Sequence, residues 1–439
     1  MTPKFRIHPF LAFIYAVLRT LSWVGLYVFY RQRLVLGRGR ARFDGATILI
    51  SNHPSTLMDV LNVGIHVPRI IFFLANYSLF KHPLSNWLLT RLYCIPIKRK
   101  EDVPEGEIRN NDVYFEQSYR HLEAGGLLYI APEGVSWMER RVRPFKTGTA
   151  RIAFGAESRN QFDLDLKIVP AGLSYTAPNL FRSKMSVQFG EPIYAKDYVA
   201  QWQADPEQAV DALTAALERR VRALTIDAKD EAGELLLNKL EIMAAQERPI
   251  SAQATFERSQ RLAEHVSGNS DLQQRTAAYF GHLGEAELTD GGLKDWSRPG
   301  TNVRFLWDGL FLLLGSPLFL LGWLFWALPC FIPWAAAKQL KLYIGYDSNV
   351  KFILGLFTFP LAIWATYRFL LPVLPAAWQI WLVLTGLVLA AYFVEWYWVV
   401  FDRMTARWRA ASVAKYHPGL HGELMAQRGD ILKEIAPYL

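Results

Sequence analysis

Apolar and polar positions change rhythm several times along the chain, and each change predicts a different kind of element. Residues 9–30, PFLAFIYAVLRTLSWVGLYVFY, are apolar almost throughout. The run is close to the roughly 20 residues that span a bilayer. Arg19 in its middle is costly for a lone spanning helix. Arg31, Arg33, Arg38, Arg40 and Arg42 follow directly. A secretory signal peptide carries its charge before the apolar run, not after it. The segment therefore reads as a membrane anchor or a half-buried helix, with the arginines on cytoplasmic phospholipid.

Between 46 and about 193, short apolar runs read as strands: TILIS, RIIFFLA, YCIPIK, GLLYIAP, LKIVPAGLSY and MSVQFG. Helix-like segments such as 109–124 lie between them. This alternation predicts an α/β domain with a largely parallel sheet flanked by helices and functional loops at the strand ends. Residues 194–300 are polar, and PEQAVDALTAALERRVRALTI has the stripe of a surface helix.

Three apolar blocks follow, at 305–334, 352–374 and 376–401. The last two have the length of spanning helices. The first is interrupted by Gly315-Ser316-Pro317 and by Pro329 and Pro333. It is expected to turn back at 315–317 as a re-entrant pair of half-helices. The other two blocks would then form a hairpin with the Pro372–Pro375 turn outside. Lys338, Lys341, Lys351 and the basic tail with Arg403, Arg407, Arg409 and Lys415 would all stay on the cytoplasmic side. The expected division is a membrane-associated helix and basic segment at 1–45, an α/β domain at 46–195, a helical cytoplasmic region at 196–303, membrane-embedded α-helices at 304–402 and a basic cytoplasmic tail at 403–439.

Composition sharpens this picture. The chain is 51% hydrophobic, with 15 Trp, 19 Tyr and 27 Phe, which excludes a disordered protein and favours membrane contact. A net charge of +8 seeks phosphates. The aromatics sit in apolar runs and are not interleaved with basic residues, so the expected partner is a phospholipid membrane and not nucleic acid. Cys94 and Cys330 are the only cysteines, which gives no disulfide framework and favours a reducing compartment. There is no zinc-type Cys/His spacing and no Gly-rich nucleotide loop, and no metal or cofactor is expected.

Candidate chemistry begins in ISNHPSTLMDV, residues 50–60. A strand ends at Ser51-Asn52-His53, Pro54-Ser55 reads as a helix start that Ser55 can cap, and Asp59 lies about one turn inside. The Asp59 carboxylate can reach one imidazole nitrogen of His53 and leave the other facing a cleft. That pairing makes a general base. Taken alone, a His and an Asp at this spacing are also ordinary turn and helix residues. Downstream, Ile95-Pro96-Ile97 precedes Lys98, Arg99 and Lys100. The run Ala131-Pro132-Glu133-Gly134-Val135-Ser136 is followed by Arg143, Lys146 and Arg151. Gly134 permits a tight turn at a strand end, and cations beside it suit a phosphate.

Together and in this order, these stretches resemble the phospholipid/glycerol acyltransferase superfamily. Its four motifs correspond to Asn52-His53…Asp59, Ile95-Pro96-Ile97-Lys98-Arg99, Ala131–Ser136 and Ile168-Val169-Pro170-Ala171-Gly172. The resemblance covers roughly residues 30–195. The spacing here is H-x5-D, where most of the superfamily has H-x4-D. A subgroup resembling glycerol-3-phosphate and dihydroxyacetone-phosphate acyltransferases carries the longer spacing. That subgroup also shows a run like Phe145-Lys146-Thr147-Gly148-Thr149-Ala150-Arg151-Ile152-Ala153.

The resemblance implies an O-acyltransferase of phospholipid biosynthesis, bound to the inner membrane with its catalytic domain in the cytoplasm. The donor is an acyl thioester, either acyl-CoA or acyl-carrier protein, used as a co-substrate. The acceptor is the sn-1 hydroxyl of glycerol 3-phosphate, with a lysophospholipid (1-acylglycerol 3-phosphate) as the second reading. His53 is expected to be the base and Asp59 its orienting partner. Arg99 and Lys146 would bind the acceptor phosphate, and Glu133, Gly134 and Ser136 belong to the substrate site. Backbone N–H groups near the Asn52–Pro54 turn or Gly134 are candidates for the oxyanion. A serine hydrolase using Ser136 would need a G-x-S-x-G elbow, which the sequence lacks. A non-enzymatic lipid-binding or transport protein would leave the His–Asp pair without a purpose.

Overall fold

The computed structural model describes residues 8–99, 111–248, 250–266, 268–298 and 300–439, in two compact units. The first unit holds residues up to Asp227 together with Leu342–Phe352, and the second holds Ala228–Lys341 and Ile353–Leu439.

The first unit opens with helix α1 (Pro9–Phe29) and strands β1 (Gln32–Leu36) and β2 (Thr47–Ser51). Next come α2 (Leu57–Gly64), β3 (Phe72–Asn76), α3 (Pro83–Arg91), β4 (Cys94–Ile97), α4 (Asp112–Glu123) and β5 (Leu127–Ile130). It continues through α5 (Gly148–Arg159), β6 (Lys167–Tyr175), β7 (Lys184–Phe189), β8 (Ile193–Tyr194), α6 (Val199–Ala204) and α7 (Pro206–Ala223). The strands form one sheet in the order β1-β7-β6-β2-β5-β3-β4, with β8 paired to β6. All neighbours are parallel except β6 with β7 and β8. The sheet is therefore largely parallel, as the alternating pattern predicts.

Every residue of β2 is buried, because β5 and β6 flank it and helices pack on the sheet. The apolar faces of α4, α5 and α7 supply Leu122, Ile152, Phe154, Leu213 and Leu217 to this core. The sheet also takes in β1, from the arginine-rich stretch ahead of residue 46.

Helix α1 packs one face on this unit. Leu26 and Phe29 are buried, the Tyr15 hydroxyl accepts the Ile71 N–H, and Arg19 donates to the Ile65 carbonyl at 3.1 Å. The arginine thus has a protein partner on the covered face. Phe10, Phe13, Val17, Leu21, Val24 and Val28 form the opposite face and are exposed. An apolar outer face on a domain-bound helix fits a half-buried interfacial element.

The second unit contains α8 (Glu231–Glu247), α9 (Ala252–Val266), α10 (Ser270–Glu285), α11 (Asp290–Trp296) and α12 (Thr301–Gln339). It ends with α13 (Asp347–Leu370), whose residues through Phe352 belong to the first unit, α14 (Ala377–Tyr416) and α15 (Pro418–Ile435). Four helices among the described residues are long and apolar enough to cross a membrane: α1, α12, α13 with the turn before it, and α14.

The expected half-helices at 305–334 are not formed, because α12 runs unbroken through Gly315-Ser316-Pro317. Proline removes the bond to the carbonyl four residues back, and hydroxyls replace it here. The Ser316 hydroxyl donates to the Leu313 carbonyl that Pro317 leaves free, at 2.9 Å. The Thr358 hydroxyl donates to the Pro329 carbonyl that Pro333 leaves free, at 3.0 Å. Side-chain hydroxyls commonly support proline in apolar helices in this way. Only the turn at 315–317 is lost: α13 and α14 are still separated at 371–376, the stretch that holds Pro372 and Pro375, and Lys351 lies in the same unit as the sheet.

Helices α12 and α14 pack antiparallel. Trp326 donates to the Leu387 carbonyl at 2.8 Å, and Tyr397 donates to the Leu312 carbonyl at 3.1 Å. Gly322 admits the α14 backbone, since a Cβ there would lie 2.7 Å from the Ala390 carbonyl oxygen. At the polar end, buried Arg407 pairs with Asp308 and with Asp295.

Candidate active site

Because β2, β5 and β4 are parallel, the loops that follow them leave the same edge of the sheet. His53 follows β2, and Glu133, Gly134 and Ser136 follow the adjacent β5. Arg99 follows β4, which stands three strand spacings from β2, or roughly 14 Å. Lys100 lies outside the described residues.

His53 and Asp59 meet as the sequence predicts. His53 Nδ1 lies 3.0 Å from Asp59 Oδ2. A carboxylate oxygen only accepts, so Nδ1 is the donor, and in a neutral ring Nε2 then presents a lone pair. Asp59 is fully buried and accepts two further bonds, from the Ser55 N–H at 2.6 Å and the Tyr175 hydroxyl at 2.8 Å. Three hydrogen-bond donors converge on the carboxylate and fix its direction. The helix start differs from expectation, because α2 begins at Leu57 after Thr56 and has no side-chain cap from Ser55. Asp59 itself reaches back to the Ser55 amide. Between His53 and Asp59 the backbone turns at Thr56, whose φ is 47°.

Asn52 ties the end of β2 to β6. Its side chain accepts the Leu173 N–H and donates to the Leu173 carbonyl, both at 2.8 Å. Glu133 is buried, and its Oε1 accepts the His53 N–H at 3.2 Å. Burial, with the Asp59 charge adding to it, pushes the Glu133 carboxyl up to about 8. Gly134 adopts φ 73°, and its N–H donates to the Ala131 carbonyl. Of the backbone N–H groups near the Asn52–Pro54 turn and at Gly134 that are candidates for an oxyanion, those of His53 and Gly134 already have acceptors within the fold.

The Lys146 side chain lies across Gly134, so a Cβ at 134 would come within 3.0 Å of its Nζ. Lys146 forms no ion pair among the described residues, whereas Arg151 is paired with Glu207 and Arg143 with Glu139. Ser136 Oγ accepts the Thr56 N–H at 3.1 Å and bonds to no imidazole among the described residues.

Sequence reasoning missed Tyr175 and the segment 342–352. Tyr175 ends β6, and its position in the last motif strand was the available signal. The segment 342–352 gave none. Ser348 lies 3.1 Å from Ser55, oxygen to oxygen, and Asn349 donates to the Thr56 hydroxyl. Thr56 in turn donates to the Gly345 carbonyl at 3.3 Å.

Residues 32–174 match the family model described as Acyltransferase. Two proteins of Saccharomyces cerevisiae, glycerol-3-phosphate O-acyltransferases 1 and 2, are 32% identical over 120 residues and 30% identical over 122 residues. Those stretches cover 26% and 28% of this chain and 16% of each yeast protein. The crystal structure of the 1-acyl-sn-glycerophosphate acyltransferase PlsC from Thermotoga maritima is 18% identical, covering 49% of this chain and 80% of that one, with a TM-score of 0.37.

Proposed function

Taking residues 32–174 as a domain of the acyltransferase family, we propose that this membrane protein transfers a fatty acyl group from a thioester to the sn-1 hydroxyl of glycerol 3-phosphate. The observation that carries the reading is the His53–Asp59 pair at 3.0 Å, with Nε2 left as an acceptor. Nε2 takes the hydroxyl proton as the acceptor oxygen bonds to the thioester carbonyl carbon. The tetrahedral adduct collapses, the C–S bond breaks, and the imidazolium returns its proton to the leaving thiolate. No enzyme nucleophile takes part.

The choice of glycerol 3-phosphate rests on the H-x5-D spacing, the Phe145–Ala153 run and the names of the two yeast relatives. A lysophospholipid acceptor is the second reading. Labelled acyl-CoA and acyl-carrier-protein donors, each tested with glycerol 3-phosphate and 1-acylglycerol 3-phosphate, decide between them. No transfer with any pair would end the acyltransferase reading.

Arg99 and Lys146 bind the acceptor phosphate in this scheme. Each charge-assisted contact is worth roughly 1.5–3 kcal/mol, so Arg99→Ala and Lys146→Ala should each raise the acceptor KM about 10- to 100-fold. A rise confined to the donor KM would move both residues to the donor phosphates.

The catalytic unit faces the cytoplasm, where thioester donors are made. Trypsin should cut at the exposed Arg38 or Arg40 in inside-out membrane vesicles and not in sealed right-side-out ones. The reverse pattern would invert the orientation.

A further inference from the structure

Thr56 is the conformational oddity of the catalytic loop. Its φ of 47° and ψ of −119° place a β-branched residue where glycine is normally required. Such a residue persists only where its surroundings over-determine it, and outliers of this kind cluster at functional sites. One support is local to the α/β unit, the bond from the Thr56 N–H to Ser136. The others come from residues 345–349, nearly 300 positions later. Asn349 donates to the Thr56 hydroxyl, which donates to the Gly345 carbonyl, and Ser348 bonds the neighbouring Ser55. Ser348 and Ser55 are almost fully buried, and Asn349 is buried with its Oδ1 lacking a partner.

The same segment is seated at both ends. The Tyr343 hydroxyl accepts the Met138 N–H at 3.0 Å, and its ring meets Trp137 edge-on. Lys351 donates to the Asn179 carbonyl at 3.0 Å. These contacts end one bond from the chemistry. The Ser55 N–H and His53 Nδ1 share the same Asp59 oxygen, so a shift of the 55–56 backbone moves that oxygen relative to the imidazole.

We propose that Ser348 and Asn349, with the Gly345 carbonyl, are positioning residues for the His53–Asp59 pair, holding Thr56 in its left-handed conformation so that Asp59 reaches His53 across the longer H-x5-D spacing. The proposal rests on the general-base reading of His53. It identifies a part of the reaction machinery outside the stretch that matches the family, and none of these three residues touches the reacting atoms.

The test uses the purified full chain in lipid nanodiscs, with Asn349→Ala, Ser348→Ala, Thr56→Gly and the Asn349→Ala/Thr56→Gly double variant. Small misplacements of catalytic groups are expensive, so Asn349→Ala should lower kcat roughly 10- to 100-fold while both KM values stay within about twofold. Ser348→Ala should act in the same direction and reports on the clamp if Asn349→Ala does not fold. Glycine adopts the required backbone unaided. In the Thr56→Gly background, adding Asn349→Ala should therefore cost less than about threefold in kcat.

A merely structural role for the segment predicts lower thermal stability, an unchanged kcat in the folded fraction and no rescue by Thr56→Gly. That result would overturn the proposal, as would an equal loss in both backgrounds. His53→Ala runs alongside. If it stays active, the general-base reading falls; if it is inactive while Asn349→Ala and Ser348→Ala keep the full kcat, only the positioning proposal falls.

Discussion

A His53→Ala variant is expected to be folded, membrane-bound and inactive. The side chain is only partly buried, and among the described residues its ring makes one hydrogen bond, to Asp59, so its removal disturbs little of the core. In the proposed scheme the reaction loses its general base. General-base catalysis contributes roughly 10²–10⁴-fold, and the drop in kcat should fall in that range or exceed it. Measuring transfer beside membrane flotation and thermal unfolding separates loss of chemistry from loss of structure. A variant that keeps a third of the wild-type rate would remove His53 from the role.

Asp59→Asn should lose nearly as much, for two coupled reasons. The carboxylate accepts from His53, the Ser55 amide and the Tyr175 hydroxyl. An amide has one acceptor oxygen and turns a donor toward the rest. The imidazole is then free to place its proton on Nε2, the atom that must accept. In a comparable triad this wrong-tautomer effect is on the order of 10⁴-fold. Leaving a buried donor unsatisfied also costs about 1–3 kcal/mol, so the melting temperature should fall. The acceptor KM should move little. An unchanged kcat with a raised KM would show that Asp59 serves binding and not the base.

How much of this could be read from the sequence depends on how local the physics is. The strands β2, β5 and β6 are nearly continuous apolar runs because both faces of a central parallel strand are buried, and a run of that kind shows in any short window. The His53–Asp59 contact is also local, since His53 stands two residues past the end of β2 and Asp59 in the first turn of the helix that follows. The strand β1 was hidden because Gln32 and Arg33 begin it in the middle of a basic stretch. At 315–317 the breaker signal of Gly, Ser and Pro was outweighed by the Ser316 hydroxyl, a bond that composition does not announce. Arg19 looks costly in an isolated helix and is not, because the Ile65 carbonyl lies on the face that the domain covers. The contacts of Ser348 and Asn349 with the catalytic loop leave no trace in any window, because pairing across nearly 300 residues has no period to detect.

The placement of that segment has a consequence for how the protein is made. A ribosome completes every strand of the sheet by Tyr194, yet Gly345–Asn349 emerge only after α12 has been synthesised. If those residues set the geometry of the base, the nascent chain carries a finished sheet with an untuned catalytic loop until its apolar helices are being delivered to the bilayer. Acyl transfer would then reach its full rate only once that segment is in place, and a fragment ending at Asp227 would keep the matched stretch 32–174 with a kcat lowered at least as far as in Asn349→Ala.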